Sequence, residues 1–188
     1  MKKTSLGALL LAALSSQTMA ESTNLDVTFT ATLRETTCDM AIEGGTGGDE
    51  KSQTFLIGDA GKTTLADIIN KTTNASTSFK LKITDCPSSL TGLKTTISGT
   101  KSGYVETAIV NALTAGKADY TGVSIARASA LEAPFTINST DDAKRLVWSD
   151  AEINSKEVLL VASLVETKSG LATAGNFSAI ATFNFEYQ

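Results

Sequence analysis

The chain contains no histidine, which removes the commonest general base and metal ligand from any catalytic reading. Gly61-Lys62-Thr63 has the last residues of a phosphate-binding loop, but Gly-x-x-x-x-Gly-Lys-Thr requires a glycine at position 56, where Leu56 stands. Two acidic pairs, Asp49-Glu50 and Asp141-Asp142, have the composition of a general acid and base. Their Gly-, Ser- and Thr-rich surroundings make them solvated turn residues instead. Trp148, in Leu146-Val147-Trp148, reads as core rather than as a platform for stacking a sugar. Cys38 and Cys86 are the two cysteines; in an exported chain an even pair most simply means one disulfide, the alternative being two buried thiols. No enzyme, cofactor or metal site is expected from this set.

The elements that carry these residues are therefore more informative than the residues themselves. From Leu25 the apolar Leu25, Val27, Phe29, Ala31 and Leu33 alternate with Asp26, Thr28, Thr30, Thr32 and Arg34, the period of a half-buried strand. Near the other terminus Phe177, Ala179, Ala181, Phe183, Phe185 and Tyr187 alternate with Ser178, Thr182, Asn184 and Glu186, interrupted by Ile180. The sequence offers neither segment an obvious partner strand, and no closing strand follows the second. A long apolar edge left unpaired invites another chain, so strands of this kind at both ends suggest a protein built to polymerise. The same alternation also fits an ordinary first strand and an ordinary last strand of one sandwich.

Lys2 and Lys3, the apolar run Leu9 to Leu14 and Thr18-Met19-Ala20 before Glu21 read as a secretory signal peptide over residues 1–20, too short to span a membrane. Removing these 20 of 188 residues leaves 168, a length for one domain. No later stretch is apolar enough for a membrane span. Without Lys2 and Lys3 the formal balance is 14 basic against 20 acidic residues, or −6, which makes nucleic acid a poor partner.

Thr, Val, Ile and Phe recur along the remainder and Gly or Asn separates short apolar runs, the pattern of an all-β sandwich. Strands are expected near 25–35, 53–57, 78–86, 93–99, 121–127, 133–138, 144–148, 157–166 and 176–187. Leu65 to Asn70 and Tyr104 to Leu113 are the two segments with any helical character, and Gly44-Gly45-Thr46-Gly47-Gly48 is expected to be a mobile turn.

Three stretches together resemble the pilin subunits of bacterial chaperone–usher (type 1-like) fimbriae. Val27-Thr28-Phe29-Thr30-Ala31-Thr32-Leu33 followed by Cys38 is similar to that family's N-terminal extension and first cysteine. Phe79 to Ile83 and then Thr84-Asp85-Cys86-Pro87 resembles the strand that ends in an acidic or amide residue and the second cysteine. Gly175-Asn176-Phe177-Ser178-Ala179, running on to the penultimate Tyr187, resembles the closing Gly-x-Phe-x-Ala pattern. Shorter echoes lie at Gly122-Val123-Ser124-Ile125 and at Val158 to Val165. The resemblance covers residues 21–188.

It implies an incomplete immunoglobulin-like β-sandwich missing its last strand, with residues 21–34 as a donor-strand extension running into the first strand and 35–188 as the pilin domain. Leu25, Val27, Phe29, Ala31 and Leu33 would enter a neighbour's groove. Phe177, Ala179, Ala181, Phe183, Phe185 and Tyr187 would line the chain's own groove and face a chaperone. The family usually has glycine where Ala31 stands. The partners so implied are neighbouring pilin subunits, a periplasmic immunoglobulin-like chaperone and an outer-membrane usher, on a route through the periplasm to a surface fimbria that supports adhesion. The other reading is a minor adaptor or binding subunit that recognises a host glycan or protein directly. Because only Glu21 to Asp26 precede the alternating strand, without a lectin domain, the structural subunit is preferred.

Overall fold

The alternating segments do form strands, and they assemble two facing sheets. The computed structural model describes residues 24–34, 38–88 and 90–188. The expected signal peptide, residues 21–23 of the expected extension and residues 35–37 at the start of the expected pilin domain lie outside them. Twelve strands are present among the described residues: β1 (Asn24–Arg34), β2 (Asp39–Glu43), β3 (Gly47–Asp49), β4 (Ser52–Leu56), β5 (Lys62–Thr64), β6 (Ser76–Asp85), β7 (Leu93–Ser98), β8 (Ala108–Val110), β9 (Thr121–Arg127), β10 (Leu146–Val147), β11 (Glu157–Glu166) and β12 (Asn176–Tyr187). Two short helices, α1 (Leu65–Ile69) and α2 (Asp150–Ser155), interrupt them. One sheet runs β10-β7-β12-β1-β4-β3, with β5 also on β1, and the other runs β2-β6-β11-β9-β8. The fold is an all-β, immunoglobulin-like sandwich.

Period-2 burial identifies the inner faces. In β7 the residues Leu93, Thr95 and Ile97 are buried while their neighbours are not, and in β6 Phe79, Leu81 and Ile83 do the same. These side chains close on one continuous core between the sheets. Trp148 lies within it, and its indole Nε1–H donates to Thr95 Oγ1 at 2.9 Å. A buried indole needs such a partner. Cys38 and Cys86 form a disulfide that ties the start of β2 to the end of its neighbour β6.

Several elements differ from the sequence expectation. Tyr104 to Leu113 is not helical: Ala108–Val110 is edge strand β8 on β9. The stretch 133–138 is not a strand, although Phe135 and Ile137 are buried. Its amides instead reach in several directions, Phe135 N–H to Ile125 O, Ile137 N–H to Glu106 O and Asn138 N–H to Ile97 O, so it bridges the two sheets and ladders with neither. The Gly44–Gly48 segment is half turn and half strand. Gly47–Asp49 pairs with β4, and Gly48 holds φ +105° where a Cβ would meet the Ser52 carbonyl oxygen. Helix α2 lies where no helix is expected from periodicity, yet Ser149-Asp150-Ala151-Glu152 is a capping-box sequence, and Ser149 and Glu152 cap each other. Asp142 is no free turn acid. Its carboxylate pairs with Lys94 at 2.8 Å and accepts from the buried Arg145, which reaches Glu186 of β12 at 2.7 Å, and Lys94 first and Arg145 second hold its pKa below the ordinary carboxylate value.

Replacing both cysteines, Cys38→Ser with Cys86→Ser, should lower unfolding stability by about 2–5 kcal/mol. Urea denaturation followed by Trp148 fluorescence measures this, and an unchanged midpoint would show that the bridge is dispensable.

Candidate functional site

Strand β1 is the element on which the two terminal segments converge. It lies inside the larger sheet, parallel to β12 on one side and antiparallel to β4 on the other. The register sets Val27 beside Phe177, Phe29 beside Ala179, Ala31 beside Ala181 and Leu33 beside Phe183. Across the other edge Phe29 faces Phe55 and Ala31 faces Gln53. Toward its start β1 changes partner: Leu25 and Asp26 pair with Thr63 and Lys62 of β5, and Val27 N–H donates to Gly61 O at 2.9 Å. The Gly61-Lys62-Thr63 stretch is therefore a strand partner, with Thr63 buried against β1, and not a phosphate loop.

The inward face of β1 is dry. Leu25, Phe29 and Ala31 are 0% exposed and Val27 2%; the side chain of Leu33 lies outside the described residues. Phe29 completes an aromatic cluster joining both sheets: its ring centroid lies 5.7 Å from Phe55 and 6.2 Å from Phe79, and Phe79 stands 5.2 Å from Phe55 and 5.7 Å from Phe183. Tilted rings at such separations add attraction beyond the area they bury. Ala31 and Ala181, adjacent in register, are both fully buried, so the β1–β12 contact is floored by small side chains.

On the β12 side, Phe177, Ala179, Ala181 and Phe183 are essentially inaccessible and Phe185 is 9% exposed, whereas Ile180 is 55% exposed on the outer face. Ile180, which broke the polar half of the pattern, leaves the alternation of directions intact. Tyr187 is half-buried, stacks on Phe185 at 6.5 Å, and its hydroxyl donates to Cys38 O at 3.3 Å. Strand β12 pairs with β7 and β1, and is an edge on neither side. The structure thus brings together the two sets of residues that the sequence left without partners, by pairing them with each other.

A polar corner anchors the start of this strand pair. Thr64 caps α1, and the Asp67 carboxylate accepts from Asn74 Nδ2 at 3.0 Å, Thr72 Oγ1 at 2.7 Å, and Thr64 Oγ1 and N at 2.7 and 3.1 Å. Asn74, then Thr72 and Thr64, hold the Asp67 carboxyl well below the usual carboxylate range. The helix expected over Leu65 to Asn70 is α1, and Thr64-Leu65-Ala66-Asp67 before it has the spacing of a capping box. Among the described residues no group of three or more His, Cys, Asp or Glu is placed to hold a metal ion.

Comparisons with known proteins bear on this geometry. A family model described as fimbrial protein matches residues 27–188. The uncharacterized fimbrial-like protein YadM of Escherichia coli (strain K12) is 32% identical over 177 residues, covering 88% of each chain. The crystal structure of the P pilus rod subunit PapA is similar with a TM-score of 0.49 at 15% identity, over 82% of this chain and 96% of that one.

Two outcomes follow from the geometry. Phe29→Ala should lower stability by about 3–5 kcal/mol, as for other large aromatic truncations in a core; a urea midpoint equal to wild type would place β1 outside the cooperative core. Asp67 contributes stability that is present above the ordinary carboxylate pKa of about 3.9 and is lost as pH falls through its lower folded value. Melting-temperature differences between wild type and Asp67→Asn should hold steady from about pH 7 to 5 and narrow below about pH 4. A difference independent of pH would remove Asp67 from the acid response.

Proposed function

Because the chain belongs to the fimbrial protein family, a pilus subunit that associates with its like in a surface fimbria, we propose that its subunits join by exchanging β1. In this reading β1 leaves its own sheet and enters the place between β12 and β4 of the next subunit. Leu25, Val27, Phe29, Ala31 and Leu33 are the inserted face, and Phe177, Ala179, Ala181, Phe183, Phe185 and Tyr187 the receiving wall. Residues 21–34 act as the extension and 35–188 as the body. Before assembly a periplasmic chaperone occupies the place, and an outer-membrane usher is where one occupant replaces the other. The completed fibre supports attachment of the cell.

The observation that carries the proposal is that β1 stabilises the body through its ladders to β12, β4 and β5 and one dry face. An identical strand from a second copy supplies the same groups, which is the condition for swapping an element between protomers at little cost. Passing the strand head to tail does not close on itself and so extends a fibre. Thr63, opposite Leu25, adds a reason to leave: its buried hydroxyl lacks a hydrogen-bond partner among the described residues. Such a group costs about 1–3 kcal/mol until it meets water. The emptied body would expose Phe55, Phe79 and Phe183, so release and refilling must be coupled, and a filled joint dissociates slowly.

A covalent lock tests exchange. Thr30 and Thr54 are directly paired across β1 and β4, and facing residues of this kind lie within disulfide reach. Thr30→Cys with Thr54→Cys should bind β1 to its own body and abolish surface fibres, while each single variant still forms them. Cells expressing both single variants together should yield disulfide-linked subunit pairs. Fibres built from the fully locked double variant would overturn exchange of β1.

A further inference from the structure

A second surface feature has no residue of β1 in its lining. A cleft of about 250 Å³ lies between β8 and the 117–121 segment, lined by Ser102, Tyr104, Asn111, Lys117, Tyr120 and Thr167 among others. Its rim carries two tyrosines that the core does not claim: Tyr104 is 62% exposed and Tyr120 39%. Their ring centroids are 6.0 Å apart and tilted by 54°, forming one angled aromatic platform. Large rings gathered at the surface beside a polar cleft are a recognition feature more often than a packing one.

Three details show the platform to be held in place. Tyr120 adopts a left-handed backbone with φ 52°, a conformation that bulky side chains rarely take. The Thr167 amide secures it by donating to Tyr120 O at 2.8 Å. The floor is fixed by Asn111, whose amide group donates to Ala118 O at 3.1 Å and Asn176 O at 2.7 Å while its Oδ1 accepts from Ser178 N–H at 3.1 Å.

Charge narrows the ligand class. The Lys168 ammonium stands 5.2 Å from the Tyr104 ring centre and 5.8 Å from that of Tyr120, and among the described residues it has no carboxylate partner. Ring faces attract a cation but do not neutralise it. Lys117, on the cleft wall, pairs with Asp119 at 3.0 Å across a half-exposed contact that an incoming anion can exchange. A ligand that meets these groups has a flat, partly apolar face for the tyrosines, a carboxylate for Lys168, and hydroxyls for Lys117 and Asp119. We infer that this cleft binds an acidic sugar residue, stacked on Tyr104 and Tyr120 with its carboxylate on Lys168. Such a site would give the subunit, and every copy of it along a fibre, a weak contact whose strength multiplies with copy number.

Titration of the full chain with sialyllactose and with a glucuronate-terminated disaccharide, against lactose as the neutral control, tests the site by tyrosine and lysine NMR shifts. Saturable binding of an acidic probe is expected, with lactose at least about tenfold weaker, the value of one charge-assisted contact. Lys168→Gln should cost the acidic probe about tenfold and leave lactose unaffected, and Tyr104→Ala should weaken both by about as much. Both positions are surface side chains, so an unchanged urea midpoint will confirm that the variants fold. No saturable response to either acidic probe, equal response to lactose, or indifference to both substitutions would overturn the inference. So would a Tyr104→Ala variant that loses fibre assembly while sugar binding is absent from wild type, which would assign the platform to contact between subunits.

Discussion

The structure depends on Phe79 having something to pack against. Phe79 projects from the smaller sheet, and its three aromatic neighbours come from three strands of the other: Phe29 of β1, Phe55 of β4 and Phe183 of β12. Strand β1 sits between the other two. Without its side chains the core would face a trench between β12 and β4, floored by aromatic rings and bordered by two rows of unpaired backbone groups. Neither apolar surface nor unpaired amides are tolerated in that position without large cost. The place must hold a strand, and the chain's own β1 holds it here.

Such a requirement explains why the remaining features are those of a scaffold. The disulfide joins the ends of β2 and β6 just after β1 leaves its sheet. The Asp67 corner pins β5 and α1 where β1 begins. The Asp142, Arg145 and Glu186 ion pairs clamp the end of β12 to the segment before β10. Each supports a wall of the β1 place without relying on β1 itself, as is needed if the occupant is to be replaced. The larger sheet is thus braced on both sides of one strand position by contacts made outside that strand.

The aromatic platform at Tyr104 and Tyr120 stands apart from this logic. None of the cleft's lining residues comes from β1 or β4. Its link to the β1 position runs through β12 alone, because Asn111 at its floor bonds to Asn176 and Ser178 of that strand.

Much of the fold was legible from residue order because burial in a sandwich repeats every second residue. Leu25 to Ala31, Phe79 to Ile83 and Phe177 to Phe185 announced their inner faces, the mismatch to a nucleotide loop followed from Leu56, and the resemblance to pilins named the family that the comparisons support. Short elements held by local hydrogen bonds were less visible: α2 rests on the Ser149 and Glu152 caps, and β3 on a glycine conformation. The 133–138 segment is apolar like a strand, but its amides find acceptors on several elements, which no periodicity reveals. Above all, sequence periodicity states that a strand has one buried face and says nothing of which sheet buries it. That Phe29 lies against Phe55 and Phe79 of its own chain, and that Tyr120 lies beside Tyr104, was decided by tertiary packing, because pairing partners are chosen across long separations by fit and not by neighbouring residues.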